Sequence, residues 1–208
     1  MISYTITVCN EDKELDHLLG FLKDRMTKHD EIVVQMDSMS VTSSVRNVID
    51  NYKNEIHNFV VIEFPLDNDF AQFKNNLKSH CSKEWIFNID ADELPSEILI
   101  KNIHDILELN DDVEMFLVPR WNTVDGITEK HIKKWGWNYD EYERINWPDY
   151  QTRIYKNKKE IVWKNKVHER LFGYTTHASL PAEQEFCFYH PKTIDRQENQ
   201  NKFYEKMG

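Results

Sequence analysis

Apolar positions in the first half of the chain follow two alternating rhythms. "ISYTITVC", "EIVVQMD", "FVVIEFP" and "EWIFNID" are short β-branched or aromatic runs with the character of strands. The stretches between them have helical spacing. "KELDHLLGFLKDRM" puts Leu15, Leu18, Leu19 and Leu22 on one face, and "VTSSVRNVIDNY" does the same with Val45, Val48 and Ile49. "DFAQFKNNLKSHCS" is a third helix ahead of the fourth strand. This alternation predicts an α/β layered domain whose mostly parallel sheet is flanked by helices. The second half is less regular. "PSEILIKNIHDILELN" reads as an amphipathic helix and "VEMFLVPRWNTV" as a strand, followed by an aromatic, polar stretch from Trp135 to Tyr150. Short strands are expected at "TRIYKN" and "IVWKN", another apolar strand ends at His190, and the polar "IDRQENQNKFYEKMG" is expected as a surface helix.

Composition narrows the classes. At 208 residues, with 40% apolar and only 5 Gly and 6 Pro, the chain has the material for one well-packed domain and no low-complexity segment. A formal charge of -10 weighs against a nucleic-acid partner, and an anionic substrate would need a metal ion or basic side chains to neutralise its site. Cys9, Cys81 and Cys187 are odd in number and widely spaced, which fits neither a disulfide framework nor a thiolate metal site, and they read as small apolar residues in a reducing cytosol. No basic flank marks a signal peptide, and no apolar run reaches the roughly 20 residues needed to cross a bilayer. A soluble, cytoplasmic protein without a membrane span is expected.

The chemistry concentrates where the fourth strand ends. Asp90, Asp92 and Glu93 place three carboxylates within four residues, which repel one another unless they sit in water or share a cation. In open α/β sheets ligands bind beyond the carboxyl ends of the strands, and hard oxygen donors there suit Mg²⁺ or Mn²⁺ held jointly with substrate phosphates. The competing reading is a solvated turn, with Glu93 beginning the next helix near its N-terminal dipole.

Four segments in consistent order decide between them. "TVCNEDKELDHLLGFL", "IVVQMDSMSVTSSV", "DFAQFKNNLKSHCSKEWIFNIDADEL" and "DYQTRIYKNKKEIVWKNKVHERL" resemble the first strand and helix, the second strand and acidic turn, the approach to the D-x-D, and the later Q-x-R-x-[FY] and V-H-E run of glycosyltransferase family 2. The resemblance covers most of the chain. It implies a GT-A fold within a single domain over residues 1–208, with a nucleotide-binding half at 1–110, an acceptor-side half at 111–208, and a smaller, irregular or antiparallel C-terminal part. It also implies metal-dependent, inverting transfer of a sugar from a UDP- or GDP-sugar to an acceptor hydroxyl.

Carried over residue by residue, the resemblance assigns Val8, Asn10, Glu11 and Asp37 to the nucleotide, with Asn75, Asp90 and Arg153 also near the nucleotide sugar. Asp92, Asp90 and a late histidine, His190 or His168, would hold the Mn²⁺ or Mg²⁺, and Glu169 would be the base that deprotonates the acceptor. Lys74 stands where relatives carry an arginine, keeping the charge but losing the planar fork. Each assignment has a plainer competitor: a turn role for Asp37, a structural role for His190, and a surface ion pair of Glu169 with Arg170 or Lys166. The aromatic stretch from Trp135 is either an acceptor platform or a small satellite core. A nucleotidyltransferase would carry a glycine-rich loop after the first strand, yet the first glycine here is Gly20, inside a helix. A D-x-D phosphatase would place its aspartates after the first strand, where this chain reads "CNED". A non-catalytic sugar-binding domain of the same fold is the remaining alternative.

Overall fold

The strand rhythm of the first half becomes four parallel strands. A computed structural model describes residues 1–207, with side chains through residue 202. In it β1 (Ile2–Val8), β2 (Glu31–Asp37), β3 (Phe59–Phe64) and β4 (Trp85–Asp90) lie in the order β3-β2-β1-β4. The helices α1 (Asp12–Lys23), α2 (Ser43–Tyr52) and α3 (Phe70–Ser79) connect them, burying Leu15, Leu18, Leu19 and Leu22 from α1 and Val45 and Ile49 from α2. Side-chain caps fix two of the helix starts: the side chain of Thr42 accepts from the Val45 N–H, and that of Asp69 from the Gln72 N–H. Because β1 pairs with β2 on one side and with β4 on the other, the strand order reverses at β1. A crevice opens there at the carboxyl ends.

The second half extends the same sheet. After β5 (Leu94–Pro95) and α4 (Glu97–Leu109) come β6 (Met115–Asp125), α5 (Glu129–Trp135) and β7 (Ile145–Lys156). The remaining elements are β8 (Val162–Lys164), β9 (Arg170–Phe172), β10 (His177–Ser179), a 3₁₀ turn, β11 (Phe188–Thr193) and α6 (Ile194–Met207). β7 runs antiparallel between β4 and β6, β11 lies parallel to β6, and β8 with β9 forms a separate two-stranded hairpin. The main core joins both halves: Phe87 on β4 packs between Tyr4 of β1 and Phe188 of β11, at ring separations of 5.6 and 5.5 Å. A smaller core under the hairpin gathers Ile86, Tyr155, Trp163 and Leu171.

Two expectations change. The strand anticipated at "TRIYKN" begins at Ile145, so part of the aromatic stretch is sheet. Pairing with β6 extends β7 there even though its residues are too polar to signal a strand. His190 lies in the middle of β11, because parallel pairing with β6 continues through Thr193 beyond the apolar run. The helix read at "PSEILIKNIHDILELN" starts after Ser96, whose side chain accepts the Leu99 N–H at 3.1 Å, so the competing placement of its start at Glu93 falls away. Among the described residues no helix is long and apolar enough to cross a membrane, and the three cysteines are free thiols.

Candidate active site

Burial decides what the three clustered carboxylates do. Glu93 is completely buried and faces two arginines, Arg153 and Arg120, with Arg120 Nη1 3.1 Å from Glu93 Oε1. Its other oxygen accepts the Asp90 N–H at 3.3 Å. Glu93 is therefore a buried counterion and not the start of a helix. Arg153 also reaches Asp90 Oδ2 at 2.7 Å. Burial alone would raise the Asp90 carboxyl, but Arg153, followed by Lys74, Arg120 and His190, outweighs it and holds the group well below the usual carboxylate range. Asp92 turns the opposite way, toward His190 Nε2 at 3.2 Å and Arg196 Nη2 at 3.3 Å. Burial opposes its ionisation too, and the His190 contact lowers it overall.

Asp90, Asp92, Lys74, Arg120, Arg153 and His190 line one cavity of about 1060 Å³ at the carboxyl ends of β1, β2 and β4. Val8, Glu11 and Asp37 border it from the first two strands. Glu11 accepts the Cys9 and Asn10 N–H groups at 2.9 and 3.0 Å, which closes the turn after β1. Asp37 accepts the Met39 and Leu66 N–H groups, each at 3.1 Å, and the Ser40 hydroxyl. Its carboxylate thus ties the turn after β2 to the end of β3, as the turn reading foresaw, while still facing the cavity. Asn10 is exposed and lies outside the cavity lining. Asn75 also lies outside it: its amide donates to the Trp163 carbonyl at 2.8 Å and accepts the Trp163 N–H at 2.9 Å, so both of its polar atoms are spent joining α3 to β8.

His168 and Glu169 also line the cavity. Glu169 Oε1 pairs with Lys74 Nζ at 2.5 Å, whereas the sequence pointed to Arg170 or Lys166 as its partner. Lys74 is nearly buried and lies 4.6 Å over the Trp163 ring, a placement that only the packing of α3 against β8 creates. In the aromatic stretch, Trp137 reaches the cavity, while Tyr142 and Trp147 pack with Trp121 around the Arg144 guanidinium as a satellite cluster.

Sequence reasoning missed Arg120, Asn122, Asp149, Lys192 and Arg196, all of which line or guard the cavity. Arg120 grips Asp149 at 2.9 and 2.7 Å, and Asn122 bridges Asp149 and His190. Arg196 on α6 spans Glu14 at 2.8 Å and Glu11 at 3.4 Å as well as Asp92, so α6 borders the site and is not a plain surface helix. Part of this was legible. Arg120 and Asn122 are spaced i, i+2 in a strand, as are Asp149, Gln151 and Arg153, and such spacing sets polar groups on one face of an apolar element. A register shift between Phe116 and Leu117, opposite Arg153, re-aims that last residue and leaves no trace in the sequence.

Among the described residues, no group of three or more His, Cys, Asp or Glu side chains converges as a complete metal cage. What converges is the pair Asp92 and His190, with Asp90 engaged by Arg153. One carboxylate and one imidazole facing a cavity fit Mn²⁺ or Mg²⁺ when phosphate oxygens of a substrate complete the shell.

Comparison with known proteins agrees with this geometry. The chain is 27% identical over 180 residues to the SPbeta prophage-derived glycosyltransferase SunS of Bacillus subtilis (strain 168), an alignment covering 86% of this chain and 36% of that protein. It therefore spans about a third of the length of the curated relatives it matches. S. aureus TarS 1–349 in complex with UDP-GlcNAc shares the fold at a TM-score of 0.67 and 15% identity, covering 92% of this chain and 58% of the other. The complex of the same fragment with UDP gives 0.65 and 15%, with 91% and 60% covered. Residues 3–172 match the sequence model described as "Glycosyl transferase family 2", more than three quarters of the chain, and the protein belongs to that family.

Proposed function

We propose that the chain transfers a sugar from a nucleoside diphosphate sugar to an acceptor hydroxyl, with inversion and with a divalent cation at Asp92 and His190. The observation carrying this reading is that Asp92, His190 and Glu169 line a single cavity at the strand-order switch point. Val8, Glu11 and Asp37 would border the nucleoside, since they close the crevice beside β1 and β2. Arg153, through Asp90, keeps the diphosphate side of the site charge-balanced. Glu169, which lines the same cavity, would take the acceptor proton through the oxygen that Lys74 does not hold. A bound Mn²⁺ or Mg²⁺ would neutralise charge on the departing diphosphate. TarS was captured with UDP-GlcNAc, which makes a UDP-sugar the first donor to try.

The test is calorimetric titration of UDP and GDP with and without Mn²⁺. Tight binding of one nucleotide that requires Mn²⁺ and disappears in Asp92→Ala is expected. Binding unchanged by that substitution would remove the metal role, and no binding of either nucleotide would remove the donor assignment.

A further inference from the structure

Asn122 touches His190, and the two polar ends of its amide have different partners. Its Nδ2 lies 2.8 Å from Asp149 Oδ2. Asp149 is gripped by Arg120 through two N–H groups, and Gln151 donates to its second oxygen at 2.8 Å. An ionised carboxylate only accepts hydrogen bonds, so the end of Asn122 facing Asp149 must be the NH₂ group; the reverse orientation would set a carbonyl oxygen against a carboxylate. The other end, Oδ1, then faces His190 Nδ1 at 2.7 Å. An amide oxygen cannot donate, so Nδ1 carries the hydrogen of that bond, and the ring is held with Nε2 toward Asp92 and the cavity.

The relay crosses three adjacent strands, with a register shift in the β6–β7 pairing between Arg120 and Asn122. Arg120 on β6 is opposite Asp149 on β7, and Asn122 on β6 is opposite His190 on β11. His190 itself is only 7% exposed, so its ring orientation depends on these partners and not on solvent. We propose that Asn122, fixed in direction by Asp149, is the positioning residue that presents Nε2 of His190 to the site and thereby sets the site's affinity for a divalent cation. The inference rests on the reading of Asp92 and His190 as the cation's protein ligands. Outer partners of a metal-binding histidine are worth about 10–100-fold in metal affinity.

The experiment uses the full chain with UDP and Mn²⁺, measuring Mn²⁺ affinity by continuous-wave electron paramagnetic resonance and imidazole coordination by nitrogen modulation in pulsed spectra. The wild type should show modulation from one imidazole that is absent in His190→Gln. Asn122→Leu should bind Mn²⁺ about 10–100-fold more weakly with reduced modulation. Asn122→Ala, a smaller change, serves if the leucine protein does not fold. Affinity and modulation both unchanged in a folded Asn122 variant would overturn the inference. Mn²⁺ binding that depends on Asp92 but shows no nitrogen modulation would also overturn it, while leaving sugar transfer intact. A wild type that binds UDP but no Mn²⁺ would remove the cation and this inference together.

Discussion

Glu93 and Glu169 show how neighbours assign different tasks to the same carboxylate. Glu93 is sealed between Arg120 and Arg153, so it organises charge and is closed to a substrate. Glu169 keeps 17% of its side chain exposed, gives one oxygen to Lys74 and borders the cavity. If it is the base, Glu169→Gln keeps the shape and removes the acceptor of the proton. Transfer should fall by about 10²–10⁴-fold while nucleotide binding stays within a factor of two. Near-full transfer by that variant, measured with any accepted substrate, would return Glu169 to a structural ion pair. Both residues sit in polar segments whose composition was readable. Which one meets a guanidinium and which an ammonium was not, because Arg120, Arg153 and Lys74 arrive from β6, β7 and α3.

At the scale of elements, the β8–β9 hairpin is the platform that carries Glu169. It is fastened to α3 three times: by Asn75 to Trp163, by the Phe70 N–H to the Lys166 carbonyl at 2.9 Å, and by Lys74 to Glu169. Gly173 leaves β9 with φ at +92°, and a Cβ there would fall 1.9 Å from the Glu160 carbonyl oxygen. Gly173→Ala should therefore cost at least about 1–3 kcal/mol through backbone strain alone, read by urea unfolding. If Glu169 is the base, transfer should fall more than nucleotide binding does, since its platform moves and the strands proposed to hold the nucleotide do not. Another fastening holds the start of β6. Glu114 is drawn down from the ordinary 4.5 to about 2, chiefly by Lys158 and then by the N–H and hydroxyl of Thr175. A depressed folded-state value stabilises the protein above the ordinary one, and that stability is lost as pH falls from about 4.5 toward 2. Glu114→Gln should flatten the stability–pH curve in that window, and an unchanged acid limb would show that the pairing contributes nothing there.

Across the whole molecule, a net charge of -10 would have to coexist with the anionic donor proposed above. The fold meets this by directing Lys74, Arg120, Arg153, Lys192 and Arg196 to one crevice, where each balances a carboxylate or lines the cavity. One continuous sheet runs through both halves, and Phe87 is wedged between the first strand and the last. If the chain unfolds as one unit, tryptophan fluorescence and far-UV dichroism should give coincident urea transitions. Phe87→Ala should lower stability by about 3–5 kcal/mol without splitting them. Two separated transitions would divide the chain into independently folding halves.

The alternation of β-branched runs with helical periods, readable along residues 2–109, carried the layered parallel architecture, because burial on one stripe or on both faces leaves a periodic mark in local sequence. The aspartates at the end of β4 were legible for the same reason, since a strand's apolar run stops abruptly where its carboxyl end meets the crevice. Asn75 and Lys74 are adjacent in sequence, yet one is spent on the Trp163 backbone and the other faces the cavity. Nothing local separates them. The pairings of Lys74 with Glu169, Asp149 with Asn122 and Arg196 with Asp92 join groups 95, 27 and 104 residues apart, a span no periodicity can encode. They are fixed by strand order, by register and by the shift that turns Arg153 inward, all of which exist only once the sheet has assembled.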